Sequence, residues 1–157
     1  MSRLAAHGVS FDVPAGWEAE LSTQPDPAEF DAGLESSDAS LVVVHAANFS
    51  LPAERGDYGS GAVEVMDRNG IFAALIEFDG ASATSKLFAR EGFPTRLSPG
   101  DFKPDQLHLS LPGQAGLQQF FHVGSRAFCL YAVIGSYSMR GLLVPELNRL
   151  LAGLSVY

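Results

Sequence analysis

The run Leu117-Gln118-Gln119-Phe120-Phe121-His122-Val123-Gly124-Ser125-Arg126-Ala127-Phe128-Cys129-Leu130-Tyr131-Ala132-Val133-Ile134 is two largely apolar segments around one small polar break, Gly124-Ser125. Aromatic and β-branched side chains suit the pleat of a strand, and glycine at the first of two loop positions provides the positive φ of a type II′ turn. The reading is a hairpin of strands 117–123 and 126–134. A two-residue turn sets the register, so Val123 opposes Arg126, Phe121 opposes Phe128 and Phe120 opposes Cys129. Alternation then puts Phe121, Phe128, Leu130 and Ile134 on one face, with Phe120, His122, Cys129, Tyr131 and Val133 on the other. Both faces are apolar, which requires cover on both sides by helices or by long connections.

Downstream, 135–138 reads as a turn and about 140–152 as the best helix of the chain. Leu143, Leu147, Leu150 and Leu151 form its apolar stripe, Glu146 and Arg149 face solvent, and Gly153 stops it. Pro145 is expected in the first turn, which moves the true start later than the pattern. Residues 154–157 run out as a short edge strand. Upstream, 107–111 alternates like a strand that Pro112-Gly113 ends. The stretch 79–105 is long for a plain loop, and Leu87, Phe88, Phe93 and Phe102 are its expected anchors on the sheet. Residues 71–78 read as a buried strand. Residues 60–70 read as a short helix capped by Ser60 and ended by Asn69-Gly70; the competing reading is a type I′ hairpin turn at Asn69-Gly70.

Nearer the start, 41–47 is a continuous Leu-Val-Val-Val run expected to be a central strand. Residues 9–13 form a strand that Pro14-Ala15-Gly16 turns into 17–21 as a hairpin-like opening, with Trp17 plugging the core beside the turn. Residues 23–40 read mostly as loop, with a helical turn near 27–31. The 157 residues, 46% apolar and 18% charged, describe one globular domain over 1–157, able to bury about 70% of its unfolded surface. No apolar run reaches the roughly 20 residues of a membrane span, and the first ten residues lack the pattern of a signal peptide. A cytoplasmic protein is the expectation, and the Asn48-Phe49-Ser50 glycosylation pattern is set aside on that ground.

Charge is concentrated in one third of the chain. Residues 1–57 carry 10 acids against Arg3 and Arg55, whereas 58–157 carry 8 acids and 8 bases, so the net charge of −8 originates at the front. That balance argues against nucleic acid as a partner, which needs clustered Lys and Arg. The acids from Glu18 to Asp38 read as a solvated lobe; the sharper alternative is a docking face for a basic partner protein built on Glu29, Asp31, Glu35 and Asp38. Calcium-loop spacing is absent.

Chemistry-bearing motifs are few. The phosphate loop, the paired-His zinc helix, the nucleophile elbow and Cys-x-x-Cys do not occur. Gly59-Ser60-Gly61 resembles a dinucleotide turn, but Glu64 stands where a pyrophosphate would be repelled. Cys129 and His122 share a hairpin face on diagonal positions; a buried, inert thiol beside a structural histidine is the favoured reading over a cysteine nucleophile. His7, His45 and His108 are too scattered for a metal site, and Ser136 and Ser138 precede a helix, where capping is their ordinary role. No cofactor and no catalytic residue are expected.

Phe11-Asp12-Val13-Pro14-Ala15-Gly16-Trp17, a strand closed by Pro-x-Gly-Trp, resembles the opening of PsbP-like proteins, and the closing hairpin, leucine-striped helix and terminal strand at 154–156 resemble the end of that fold. The resemblance implies an α+β fold with a central, mostly antiparallel β-sheet sandwiched between helices. It also implies a non-catalytic accessory or protein-binding module, and it carries no functional residue over. The alternatives are a carrier or sensor of a small apolar ligand, roofed by the phenylalanines of 79–105, and a small enzyme with a cysteine or serine nucleophile.

Overall fold

In a computed structural model, residues 2–25 and 40–157 are described. The anticipated hairpin is present as β6 (Ala115–Val123) and β7 (Arg126–Ile134), with Val123 against Arg126, Phe121 against Phe128 and Phe120 against Cys129. Gly124 has φ 58°, as a type II′ turn demands. The hairpin is one side of a five-stranded antiparallel sheet of order β3-β4-β5-β7-β6, which also contains β3 (Glu18–Pro25), β4 (Ser40–Ala47) and β5 (Ile71–Phe78). The Leu-Val-Val-Val run is thus interior, but the middle position belongs to β5.

A second sheet has three antiparallel strands in the order β1-β2-β8, formed by β1 (Ser2–Ala6), β2 (Val9–Val13) and β8 (Leu154–Val156). Strand β1 was not anticipated. It turns into β2 through His7 and Gly8, both at positive φ (52° and 74°), the backbone of a type I′ turn. The Pro14-Gly16 turn is also present, closed by Trp17 N–H donating to the Pro14 carbonyl at 3.2 Å. It joins β2 to β3 in the other sheet, so the hairpin-like opening is instead a corner between sheets.

Helix α1 (Arg140–Leu151) buries Leu143, Val144, Leu147, Leu150 and Leu151, the i, i+4, i+7, i+8 stripe of an amphipathic helix. It begins before Pro145 rather than at it, and Pro145 lies exposed inside it. A short 3-10 turn, Tyr137–Met139, leads into α1. The stripe, together with Val9, Phe11, Val13 and Leu154 of the small sheet, closes one face of the large sheet over Val44, Ile71, Leu75, Phe121, Phe128, Leu130 and Ile134.

The opposite face carries Val43, Phe72, Ala74, Ile76, Cys129, Tyr131 and Val133, and irregular chain covers it through Phe49, Leu51, Tyr58, Ala62, Val63 and Met66. The fold is therefore mixed α+β and mostly antiparallel, but the sheet is not sandwiched between helices. The favoured helix over 60–70 is a series of turns, with Val63 N–H on the Gly59 carbonyl and Gly70 N–H on the Asp67 carbonyl; its competing hairpin also fails, because β5 pairs with β4 and β7. Two glycines explain why: Gly59 and Gly61 hold φ of 85° and 93°, which a right-handed helix excludes.

Residues 107–111 form no strand, although Leu107 and Leu111 still pack on the sheet. In 79–105, Phe88 and Phe102 are buried and Phe93 is half-buried, while Leu87 is 59% exposed and anchors nothing. The connection follows β6 on its outer side, bridging it at His122 and at Gly116. In between, Asn148 of α1 grips the backbone of Leu97, accepting from its N–H and donating to its carbonyl, both at 2.8 Å.

Candidate functional site

Edge β8 is built by its ladder to β2. Asp12 N–H donates to the Gly153 carbonyl, Tyr157 N–H donates to the Gly8 carbonyl, and Ser10 lies opposite Ser155. Alternate residues of an antiparallel strand address alternate sides, so the N–H and C=O of Leu154 and Val156 point away from β2. Among the described residues no strand pairs with that side. Leu154 is buried, Val156 half-buried, and Tyr157 72% exposed at the end of the strand. Arg126 fastens this corner from the large sheet: its Nη1 donates to the carbonyls of Gly8 and Tyr157 at 3.3 and 3.2 Å, and its Nε and Nη2 bind the Glu77 carboxylate at 3.0 Å each.

The docking residues expected at Glu29, Asp31, Glu35 and Asp38 lie outside the described residues. The first two acids of that lobe are described, and both serve the chain itself. Glu18 Oε1 accepts from Leu51 N–H at 3.0 Å, and Glu20 pairs with Arg55 at 3.2 Å.

Arg55 belongs to a buried polar knot that sequence reasoning treated as scattered residues. Its side chain is only 5% exposed. Arg55 Nε donates to Nδ1 of His45 at 2.8 Å, its Nη1 donates to the Pro52 carbonyl at 2.5 Å, and His45 Nε2 meets the Asp57 carbonyl at 2.8 Å. Gln24 Nε2 reaches both oxygens of the Asp57 carboxylate at 2.9 and 3.0 Å. Burial drives the His45 pKa below its ordinary 6.5, a backbone bond from Asp57 opposes that, and the Arg55 charge reinforces it. The only local signal was a solitary Arg inside a long acidic stretch, which needs acidic or neutral acceptors when buried.

The cysteine does not form a nucleophilic pair. Cys129 is 0% exposed, and burial pushes its thiol up to about 12. His122 lies opposite Ala127, and its Nδ1 donates to the Phe88 carbonyl at 2.7 Å. Ser136 and Ser138 hydrogen-bond each other at 2.9 Å. Neither donates or accepts a side-chain capping bond to the helix, so the capping role expected of them is not taken up.

At the dinucleotide-like turn, both Glu64 oxygens accept from Gly61 N–H at 2.9 Å; a carboxylate holds the amide that a phosphate would need. Among the described residues no three His, Cys, Asp or Glu side chains gather as a metal site, and no helix is long and apolar enough to cross a membrane.

Two further spaces are lined by named groups. An apolar gap between α1 and the large sheet, bounded by Phe11, Leu75, Leu130 and Leu150, holds about 10 Å³, the room of one water molecule rather than of an apolar ligand. The phenylalanines expected to roof a ligand are spent on packing: Phe88 meets Phe78 and Phe120 at 5.3 and 5.4 Å, and Phe93 meets Phe121 at 5.6 Å. An open cleft of about 400 Å³ lies between Pro104, Leu111, Pro112 and Tyr137. Compared with protein-family models, with curated proteins and with solved structures, the chain matches none of them.

Proposed function

We propose that this protein is a non-catalytic accessory module that holds a partner polypeptide by adding a strand to the β8 edge. The observation that carries the reading is the outward set of backbone donors and acceptors on Leu154 and Val156, beside the exposed ring of Tyr157. An open edge is a template for an extended segment. The acidic front third of the chain, net −8 overall, favours a segment bearing Lys or Arg.

The test uses affinity capture from the native organism with three baits: the wild type, Val156→Pro, and a variant with Glu29, Asp31, Glu35 and Asp38 changed to their amides. Proline removes only an outward N–H from an edge strand, and far-UV circular dichroism with a thermal melt verifies that this bait folds. A partner captured by the wild type and reduced at least tenfold by Val156→Pro is the expected result; a further, salt-sensitive reduction with the amide variant places the basic contact. Equal capture by wild type and Val156→Pro sinks the edge. No partner together with a positive turnover screen sinks the module.

A further inference from the structure

We propose that residues 52–58 form an acid-released strap, held on the large sheet at neutral pH by uncharged His45. The hydrogen bonds leave His45 one role. Its Nδ1 receives Arg55 Nε–H, so Nδ1 carries the lone pair, and Nε2 carries the proton that the Asp57 carbonyl accepts. Both ring nitrogens are engaged, and both partners lie on the strap.

A second proton can only go to Nδ1. There it removes the acceptor of Arg55 and sets an imidazolium against a guanidinium at hydrogen-bond distance. Arg55 cannot turn away, since its side chain is 5% exposed and held by Glu20 and the Pro52 carbonyl. Like charges so placed repel strongly where water is excluded. Protonation and the strapped conformation therefore oppose each other.

The groups facing His45 are Arg55 and Asp57 on the strap, Glu20 on β3 and the Phe72 ring on β5, 5.2 Å away. Burial opposes the charged form most. The Asp57 carbonyl favours it, Arg55 opposes it, and the carboxylates of Asp57 and Glu20 favour it, with a downward balance from 6.5. The strapped state thus binds fewer protons than the released state. Its stability is fully present above 6.5 and is lost progressively as pH falls from there toward the depressed value.

Release has a defined reach. Tyr58, the last residue of the strap, stacks on His108 at 3.9 Å and meets the edge of Tyr131 at 5.6 Å. Lifting 52–58 separates these rings and uncovers the side of the sheet that carries Phe72 and Tyr131.

Amide hydrogen exchange, corrected for intrinsic rates and followed from pH 7.5 to 5.5, tests the strap. Gly56 and Gly59 report on it through backbone bonds to Ser60 and Gly56 at 2.9 Å, and the interior amides of β5 are the reference. A several-fold loss of protection at Gly56 and Gly59, up to about the tenfold that uptake of one proton allows over this range, with β5 unchanged and with the effect abolished in His45→Gln, is expected. In the wild type, 15N shifts of His45 should show the Nε2–H form at pH 7.5 and protonation only below 6.5, at the low end of the range over which the amides lose protection. Flat protection, simultaneous loss in β5, an Nδ1–H form, or protonation of His45 at or above 6.5 overturns the strap, and the wild-type measurements decide the matter if His45→Gln does not fold.

Discussion

One face of the five-stranded sheet lies under regular structure, where the leucine stripe of α1 and the inner residues of the small sheet meet Val44, Leu75, Leu130 and Ile134. The other lies under irregular chain from 49 to 66, which packs Phe49, Leu51, Tyr58, Ala62, Val63 and Met66 on it and is tied down in addition by polar side chains. Glu18 holds Leu51, Gln24 holds Asp57, and His45 holds both Arg55 and Asp57. Asn48 holds Asn69 and Ile71, while Gln114 donates to the Val63 carbonyl at 2.8 Å.

The physical reason is backbone bookkeeping. A helix satisfies its own N–H and C=O groups and needs only apolar burial to dock. Irregular chain brings unpaired backbone groups to the sheet, so Glu18 of β3, His45 of β4, and Asn48 and Gln114 just beyond the ends of β4 and β6 answer them. One cover depends on apolar area. The other adds hydrogen bonds through a histidine to its apolar contacts, which makes it the side sensitive to protons.

The largest effect is expected on the helix side. Leu147, 0% exposed, leaves a cavity on change to Ala in a layer with almost no free volume, and Leu147→Ala should cost about 2–5 kcal/mol in urea unfolding. A loss below about 1 kcal/mol would break the claim that this face depends on packing.

Asn48→Ala probes the other cover and should cost about 1–3 kcal/mol, because it removes the acceptor of Ile71 N–H at 2.7 Å and the donor to Asn69 at 2.9 Å. Its exchange signature sharpens the contrast: amides of 56–70 should lose protection while those of α1 keep theirs, and uniform loss would show that the two covers open together.

The smallest effect is at Cys129, buried beneath the irregular cover with its thiol pushed up to about 12. Labelling by a thiol reagent at pH 7.5 should be slow in the wild type and accelerate a few-fold more in Asn48→Ala than global destabilisation accounts for. Fast wild-type labelling would revive the cysteine-nucleophile reading.

Legibility followed the same division. The hairpin register, the two faces of 117–134 and the stripe of α1 were readable, because a two-residue turn and a 3.6-residue period constrain neighbours in sequence. Of the site, the edge at 154–157 was readable as a strand at the end of the chain. The knot around His45 was not: Glu20, His45 and Arg55 come from three segments, and their meeting depends on β3 pairing with β4 and on 52–57 folding back.

By itself, then, the sequence determined the elements whose signals are local: the Gly124-Ser125 turn, the alternation in β2, the apolar runs of β4 and β5, and the leucine helix. Tertiary structure alone decided which strand joins which sheet. The Pro14-Gly16 turn is compatible with a hairpin or with a corner, and in the corner Val9, Phe11 and Val13 are buried against α1 and the large sheet. It also decided that a glycine-rich, polar connection rather than a second helix closes the far face. The positive φ of Gly59 and Gly61 and the side-chain clamps of β3 and β4 are favourable only once the sheet beneath them exists.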